Sequence, residues 1–364
     1  MEIVMTANIS LRRVAQIITA AASIAVLLAI VVLVSKTNAQ DSYTGQWILE
    51  TGRTSNQFHA TFSYRSGKEG RGNSMSGFMI DPQRLQGLTR EQIGSAGSHV
   101  VFQLVRDAGT LNCEGWFKDG KGSGHFTFAP NPGFAAELQK RGYESPTEVQ
   151  QFAMTINDFS LALVDELKAQ GYQRSTTDQL ARMAEHGVSL DYVREVRALG
   201  YTVDQVELIT RMVDHGVSLN FIRDMEAAGF KQLPVETLIR TVDHGVNARF
   251  INELAEAGFT GLSLEQLTRT VDHGVNVKFI KEVETLGFGH PPLETLIRMV
   301  DHGVNGKFIS GVRELGFTNL TIEQLVKMQD HGVNPAFIKK MRSRGFTQNS
   351  IDELIKLADN GFEK

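Results

Sequence analysis

The phrase DHGVN begins at Asp243, Asp272 and Asp301, at steps of 29 residues, and this period constrains the C-terminal part of the chain more than any other feature. Following it both ways gives His186, His215, His244, His273, His302 and His331, with Asn360 in the next position. A second marker, Gly followed by Tyr or Phe, starts at Gly171, Gly200, Gly229, Gly258, Gly287, Gly316 and Gly345. A fixed period of this size means stacked supersecondary units, each too small to bury its apolar face alone. The register also reaches upstream, because NPGFAAELQKRGY from Asn131 matches NPAFIKKMRSRGF from Asn334, seven periods later.

Helix-end chemistry accounts for most of the recurring letters. SLEQLTRTVDH opens with Ser263 at an N-cap and Gln266 three residues on, the spacing of a capping box; TVDQ from Thr202 and TIEQ from Thr321 read the same way. Gly274 ends that helix in the left-handed conformation, Val275 folds back, and Asn276 caps the next helix, which Gly287 and Phe288 end in turn. The apolar faces are Leu264, Leu267 and Val271 on the first helix and Phe279, Ile280, Val283 and Leu286 on the second. Helices of about ten residues are too short to be stable alone, so stacking must hold them. Residues 131–364 are therefore expected to form an α-solenoid of 29-residue helix-turn-helix units.

An Asp-His pair recurring along a chain suggests metal or catalytic chemistry. Equivalent residues of adjacent units should lie about 10 Å apart, the spacing of packed helices. Two imidazoles sharing a zinc would each need a bond of about 2.0–2.1 Å, so the ladder is not expected to share metals between units. Each histidine is expected to cap its helix C-terminus by donating to free carbonyls. A basic ladder, Arg211, Arg240, Arg269, Arg298 and Lys327, precedes Asp214, Asp243, Asp272, Asp301 and Asp330 by three residues, which predicts pairing along one helix face. The alternative is a charged stripe that binds a partner, and the five basic residues are then the candidate site.

At the other end, Val14 to Val34 is an uncharged, mainly apolar run of 21 residues, long enough to cross a bilayer as a helix. Arg12 and Arg13 before it, against Lys36 after it, place the N-terminus inside and the bulk of the chain outside the cytoplasm. Residues 1–39 read as a cytoplasmic tip and single-pass membrane anchor; cleavage after Ala39 would instead make the protein secreted. A net charge of −4 points away from a general nucleic-acid binder, and a lone Cys113 excludes an intrachain disulfide.

Between these regions, residues 43–130 turn to period two. FHATFSY puts Phe58, Ala60, Phe62 and Tyr64 on one face. HVVFQLV, TLNCEGWF and GHFTF, separated by RDAG and KDGKGS, predict a three-stranded meander. With strands near QWILE and SGFMID and a short helix at LTREQIG, five or six strands make a small antiparallel sandwich or barrel. The glycine-rich SGKEGRGNSMSG lacks phosphate-loop spacing and reads as a hairpin loop. His59, His99 and His125 lie on strands; no spacing demands that they meet at a metal. The whole is an α+β multidomain chain.

The run HGV(N/S)xxFIxExxxxGF resembles the helical repeats appended, outside the membrane, to beta-lactam-sensor-type membrane metallopeptidases and related anti-sigma-like envelope proteins. GQWILE, LVRDAGT and GHFTFAPNPGFAAEL are similar to the β-domain that precedes those repeats. The resemblance covers most of Ser42 to Lys364 and implies a sensory or binding ectodomain without the protease, since AEHGV at Ala184 is not a His-Glu-x-x-His motif. No catalytic residue, cofactor or metal is carried over.

The expectation is thus a non-enzymatic protein anchored in the inner membrane, its bulk periplasmic. Its repeat scaffold would meet another envelope protein or a cell-wall component, and no nucleic acid. The alternative is an enzyme or small-ligand-binding protein with its site in the β-domain, using His59, His99, His125 or Glu114. No nucleophile-base spacing supports the enzyme.

Overall fold

The computed structural model of the chain describes residues 43–52, 57–66, 72–347 and 350–361. The apolar run Val14–Val34, its flanking charges and the Thr37–Ala39 stretch lie outside the described residues. No helix among those described is long and apolar enough to cross a membrane. The described chain forms two compact units, the first running to Leu161 and the second starting at Ala162.

In the first unit seven antiparallel strands form one curled sheet, a half-barrel, rather than the two packed sheets of a sandwich. They are β1 (Thr44–Thr51), β2 (Phe58–Ser66), β3 (Gly72–Ile80), β4 (Leu85–Gln86), β5 (Ser98–Arg106), β6 (Gly109–Lys118) and β7 (Lys121–Pro130), in the order β3-β2-β1-β7-β6-β5-β4. The meander β5-β6-β7 forms as expected, but β7 starts at Lys121, three residues earlier than the expected GHFTF, so most of the expected KDGKGS turn is strand. Its second turn, Asp119-Gly120, takes positive φ at both residues, the two-residue hairpin that follows strand twist. The glycine-rich segment is not all loop: Gly72–Ile80 is β3, paired along its length with β2. The expected strand at SGFMID is its second half; the first half is hidden because small residues, Ser74 and Ser76, share the inner face with Phe78 and Ile80.

Inside the curl, aromatic rings lie directly on glycine backbone. A Cβ on Gly115 would sit 2.7 Å from the Trp47 ring, one on Gly122 2.4 Å from Phe117, and one on Gly45 2.6 Å from Phe126. The absent side chains make room for an inner layer of Trp47, Phe58, Phe62, Phe102, Phe117 and Phe126, all buried. Trp47 Nε1 satisfies its donor on the carbonyls of Glu114 (3.3 Å) and His125 (3.1 Å). Helix Glu148–Ile156 closes the open side: the Phe152 ring stacks on Tyr43 at 4.5 Å and meets Tyr64 and Phe128 edge-on. Helices Pro132–Lys140 and Glu148–Ile156 carry the repeat register, yet belong to the sheet's compact unit.

The second unit is an array of paired short helices, nine residues long except Val277–Val283, which has seven and continues into a π-helical turn at Glu284–Phe288. First helices pack on the first helices of following units, as Thr177–Glu185 does on Val206–Asp214, and second helices on second helices, as Leu219–Ala227 does on Ala248–Glu256. Ser189, Ser218, Asn247, Asn276, Asn305 and Asn334 cap the second helices, each accepting from the backbone N–H three residues on. Capping boxes form at Ser263 and Thr321, but not at Thr202. There the helix begins at Val206, because the repeat register places Gln205, not Thr202, opposite Ser263.

The glycine stops take the expected form. Gly274 has φ 73°, its N–H bonds the Val271 carbonyl, and the Val275 N–H bonds that of Thr270. Of the predicted faces, Leu267, Phe279, Ile280 and Val283 are buried, while Leu264, Val271 and Leu286 are partly so. A Cβ on Gly274 would come no closer than 4.0 Å to Val300, so Gly274→Ala meets conformational cost alone. We expect a loss of about 1 kcal/mol in thermal or urea unfolding, and a smaller one for His273→Ala.

Candidate functional site

The histidine ladder does not cap its own helices through the imidazoles. Each Nδ1 bonds instead to the aspartate of the following unit, 28 residues on. The distances are 2.5 Å for His186–Asp214, 2.7 Å for His215–Asp243, 2.8 Å for His244–Asp272, 2.5 Å for His273–Asp301 and 2.7 Å for His331–Asp359. His302–Asp330 completes the series. The reason lies in the helix dipole. Each aspartate is the last residue of its helix, where a carboxylate faces the negative end, and a hydrogen bond from the histidine of the unit before supports it there. Such half-exposed pairs contribute up to about 1 kcal/mol each.

The basic ladder likewise reaches across units rather than to the aspartate three residues on. Arg211 grips Glu236 at 2.8 and 3.0 Å, Arg269 bonds Glu294 at 2.9 Å, and Lys327 bonds Asp352 at 2.9 Å. The acids sit in the first turn of the next unit's helix, where the dipole favours negative charge. The Glu236 hydrogen bonds, then its charge, raise the Arg211 guanidinium above its ordinary range, and the same bonds hold Glu236 below its own. Arg240 and Arg298 have no ion-pair partner among the described residues, so the stripe alternates engaged and open cations. On the second helices, Arg194 joins Glu166 and Arg223 joins Glu195, again 28 residues apart.

In the sheet unit, the candidates divide. His59 is on β2, in register with Glu50 and Met79; His99 is four strands away on β5, about 19 Å at ordinary strand spacing. His99, Glu114 and His125 do come together on the outer face. Glu114 and His125 are direct partners across β6 and β7, and His99 Nε2 is 3.0 Å from Glu114 Oε1. Trp116, absent from the sequence candidates, stands beside His99 with ring centroids 5.3 Å apart and is 62% exposed. Its solvent-facing parity was readable from the strand alternation around Cys113 and Phe117. Cys113 is on the inner face, where burial pushes its thiol up.

Among the described residues no three His, Cys, Asp or Glu side chains converge on a position that could hold a metal ion. The His–Asp pairs could orient an imidazole, as a general base requires, but they recur identically in six successive units. That pattern serves a ladder rather than one reaction centre. No protein-family model, curated protein or solved structure matches the chain.

Proposed function

We propose that the protein is a non-enzymatic, membrane-anchored envelope protein whose α-solenoid presents an extended surface to another envelope protein or a cell-wall component. In this reading it is the sensory ectodomain of a signalling system, with its bulk outside the cytoplasm and the N-terminal apolar run as its tether. The observation that carries the reading is the pairing of charges between units. Ladders of His–Asp, Arg–Glu and Lys–Asp contacts tie each repeat to the next, so the array offers one continuous, position-fixed surface. Within that stripe the open cations Arg240 and Arg298 are the groups available to an acidic partner.

The test is photocrosslinking in cells from position 278, on an array carrying Arg240→Glu and Arg298→Glu or, separately, Arg211→Glu and Arg269→Glu. The first pair is expected to abolish capture with at most a slight loss of stability from the like charges placed near Glu236, Asp243, Glu294 and Asp301. The second should lower stability slightly, through the lost pairs and the like charges put in their place. Wild-type capture should weaken with salt, because exposed charges are screened beyond about 8 Å at physiological ionic strength. Capture indifferent to both salt and charge reversal would refute a role for the stripe.

A further inference from the structure

The outer face of a half-barrel normally needs only polar, solvated side chains. Here it carries an exposed tryptophan at the edge of a shallow depression of about 550 Å³, whose lining side chains include Gln46, His99, Glu114, Trp116, Ser123 and His125. The strand register brings them into two adjacent rows. Ser123, Trp116 and His99 are successive partners across β7, β6 and β5, and Gln46, His125 and Glu114 across β1, β7 and β6. Ser123 is the small member, so the indole has open space at its side.

The polar groups keep hydrogen-bonding capacity to spare. Glu114 engages His99 through Oε1 alone, which leaves Oε2 as an acceptor. With Nε2 donating to that carboxylate, the His99 Nδ1 accepts. The side chains of Gln46, Ser123 and His125 have no hydrogen-bond partner among the described residues. From beneath, Trp47 Nε1 bonds the carbonyls of Glu114 and His125. The backbone that presents these two residues is therefore fixed from the core, so the site is largely preformed.

We propose that this face binds a neutral glycan of flat, equatorially linked pyranose rings, with the Trp116 indole stacking on the C–H face of one sugar and Gln46, Glu114, His99 and His125 bonding its hydroxyls. The chemistry selects this ligand in three ways. A pyranose is apolar on its ring face and polar at its rim, which matches one aromatic platform ringed by planar donors and acceptors. Glu114 is the only formal charge in the lining and no lysine or arginine joins it, which disfavours phosphate, sulfate and uronate groups. A protein partner would want a contiguous apolar centre depleted of charge, whereas the exposed apolar residues nearest Trp116, Val101 on β5 and Ile48 on β1, are paired in the register with Glu114 and Ser123, and Met75 and Met79 on β3 lie beyond β7, β1 and β2. The inference goes beyond the repeat-array reading and does not depend on it.

The two tryptophans make the test direct, because Trp47 is fully buried and Trp116 is exposed. The full-length protein would be titrated with cellohexaose, with chitohexaose and with a heparin hexasaccharide, following emission and its quenching by acrylamide. A saturable blue shift and protection with at least one neutral hexasaccharide is expected. Trp116→Ala should weaken that binding about tenfold or more, measured by calorimetry, and Gln46→Ala or His125→Ala by several-fold. Helical and sheet circular dichroism should be unchanged in all three variants, as the residues are exposed. The proposal is overturned if neither neutral sugar binds below about 10 mM, if Trp116→Ala binds as well as wild type, or if only the heparin fragment binds. It is equally overturned if Trp116 is shielded by raising protein concentration alone, which would make the face a contact between copies of this chain.

Discussion

Gly124→Ala is expected to unfold the sheet unit while leaving the repeat array helical. A Cβ at that position would lie 2.0 Å from the Glu114 carbonyl oxygen and 2.6 Å from the Gly115 Cα. Both are backbone atoms of the paired strand, so no rotamer change relieves the collision. The β6–β7 register must open, and with it the seat of the Trp47 ring. Overpacking of a core costs about 1–3 kcal/mol where side chains can yield, and the upper end or more is expected here. Gly77→Ala is the internal control. It lies on the outer face of β3, where the new Cβ would meet nothing nearer than 3.8 Å. A strand-interior glycine is itself unfavourable relative to alanine by about 0.5–1 kcal/mol, so Gly77→Ala should be neutral or mildly stabilising. Both tryptophans are in the sheet unit and most of the helix is outside it. Fluorescence and far-ultraviolet dichroism therefore report the two units separately in urea. Coincident loss of both signals in Gly124→Ala would show that the array cannot stand without the sheet; an unchanged midpoint would refute the account of the inner face.

The helical repeats were legible because their determinants are local. Ser263, Gly274, Asn276 and Gly287 each act on backbone within a few residues, and a 29-residue period repeats the message. The partners of the ladders were less legible, since i,i+3 arithmetic describes one helix while the structure pairs helices of adjacent units. The signal was nevertheless present. In each later unit the aspartate precedes its histidine by one residue, so once equivalent helix ends stack, His186 meets Asp214 of the next unit rather than its own chain neighbour Glu185. In the sheet, alternation revealed β2 and the meander, and strands were also expected at QWILE and SGFMID, within β1 and β3, but the first half of β3, Gly72–Met75, was obscured by its serine and glycine. The gathering of Glu114, His125 and Trp116 on one face follows from pairing across strands, which no stretch of sequence read alone supplies.

The position in the histidine register just before the array yields the last expected result: restoring the repeat's glycine at Asp158 should destabilise the protein. Asn157, Asp158 and Phe159 occupy the places of His186, Gly187 and Val188, and Asp158 holds the left-handed conformation, φ 57°, that glycine takes elsewhere. By backbone conformation alone Asp158→Gly should gain about 1 kcal/mol or somewhat more. Against this stands the Asp158 carboxylate. Arg84 forks onto it at 2.7 and 3.0 Å, and Arg106 Nε lies 3.3 Å away, within ion-pair distance but not aligned as a hydrogen bond. The Arg106 side chain is only 4% exposed, donates to the carbonyls of Thr155 and Ile156, and lies over the Phe78 ring. Burial pushes its guanidinium down to about 10 while the Asp158 charge opposes that shift. Removing one partner of a fully buried pair costs about 3–5 kcal/mol; here only Arg106 is buried while the Asp158 side chain is 42% exposed, so the cost is smaller but still above the backbone gain, and a net loss of about 1 kcal/mol is expected in the fluorescence-monitored transition. The effect should also depend on pH. Burial would raise the Asp158 carboxyl, but the Arg84 hydrogen bonds and the two guanidinium charges together hold it below its ordinary value. A carboxyl depressed by folding contributes fully above its unfolded value, about 3.9, and loses that contribution as pH falls through the lower folded value. Wild type and Asp158→Gly should therefore differ most near neutrality and converge in acid. A glycine variant more stable than wild type at pH 7 would show that backbone strain, not the arginine pair, governs this junction.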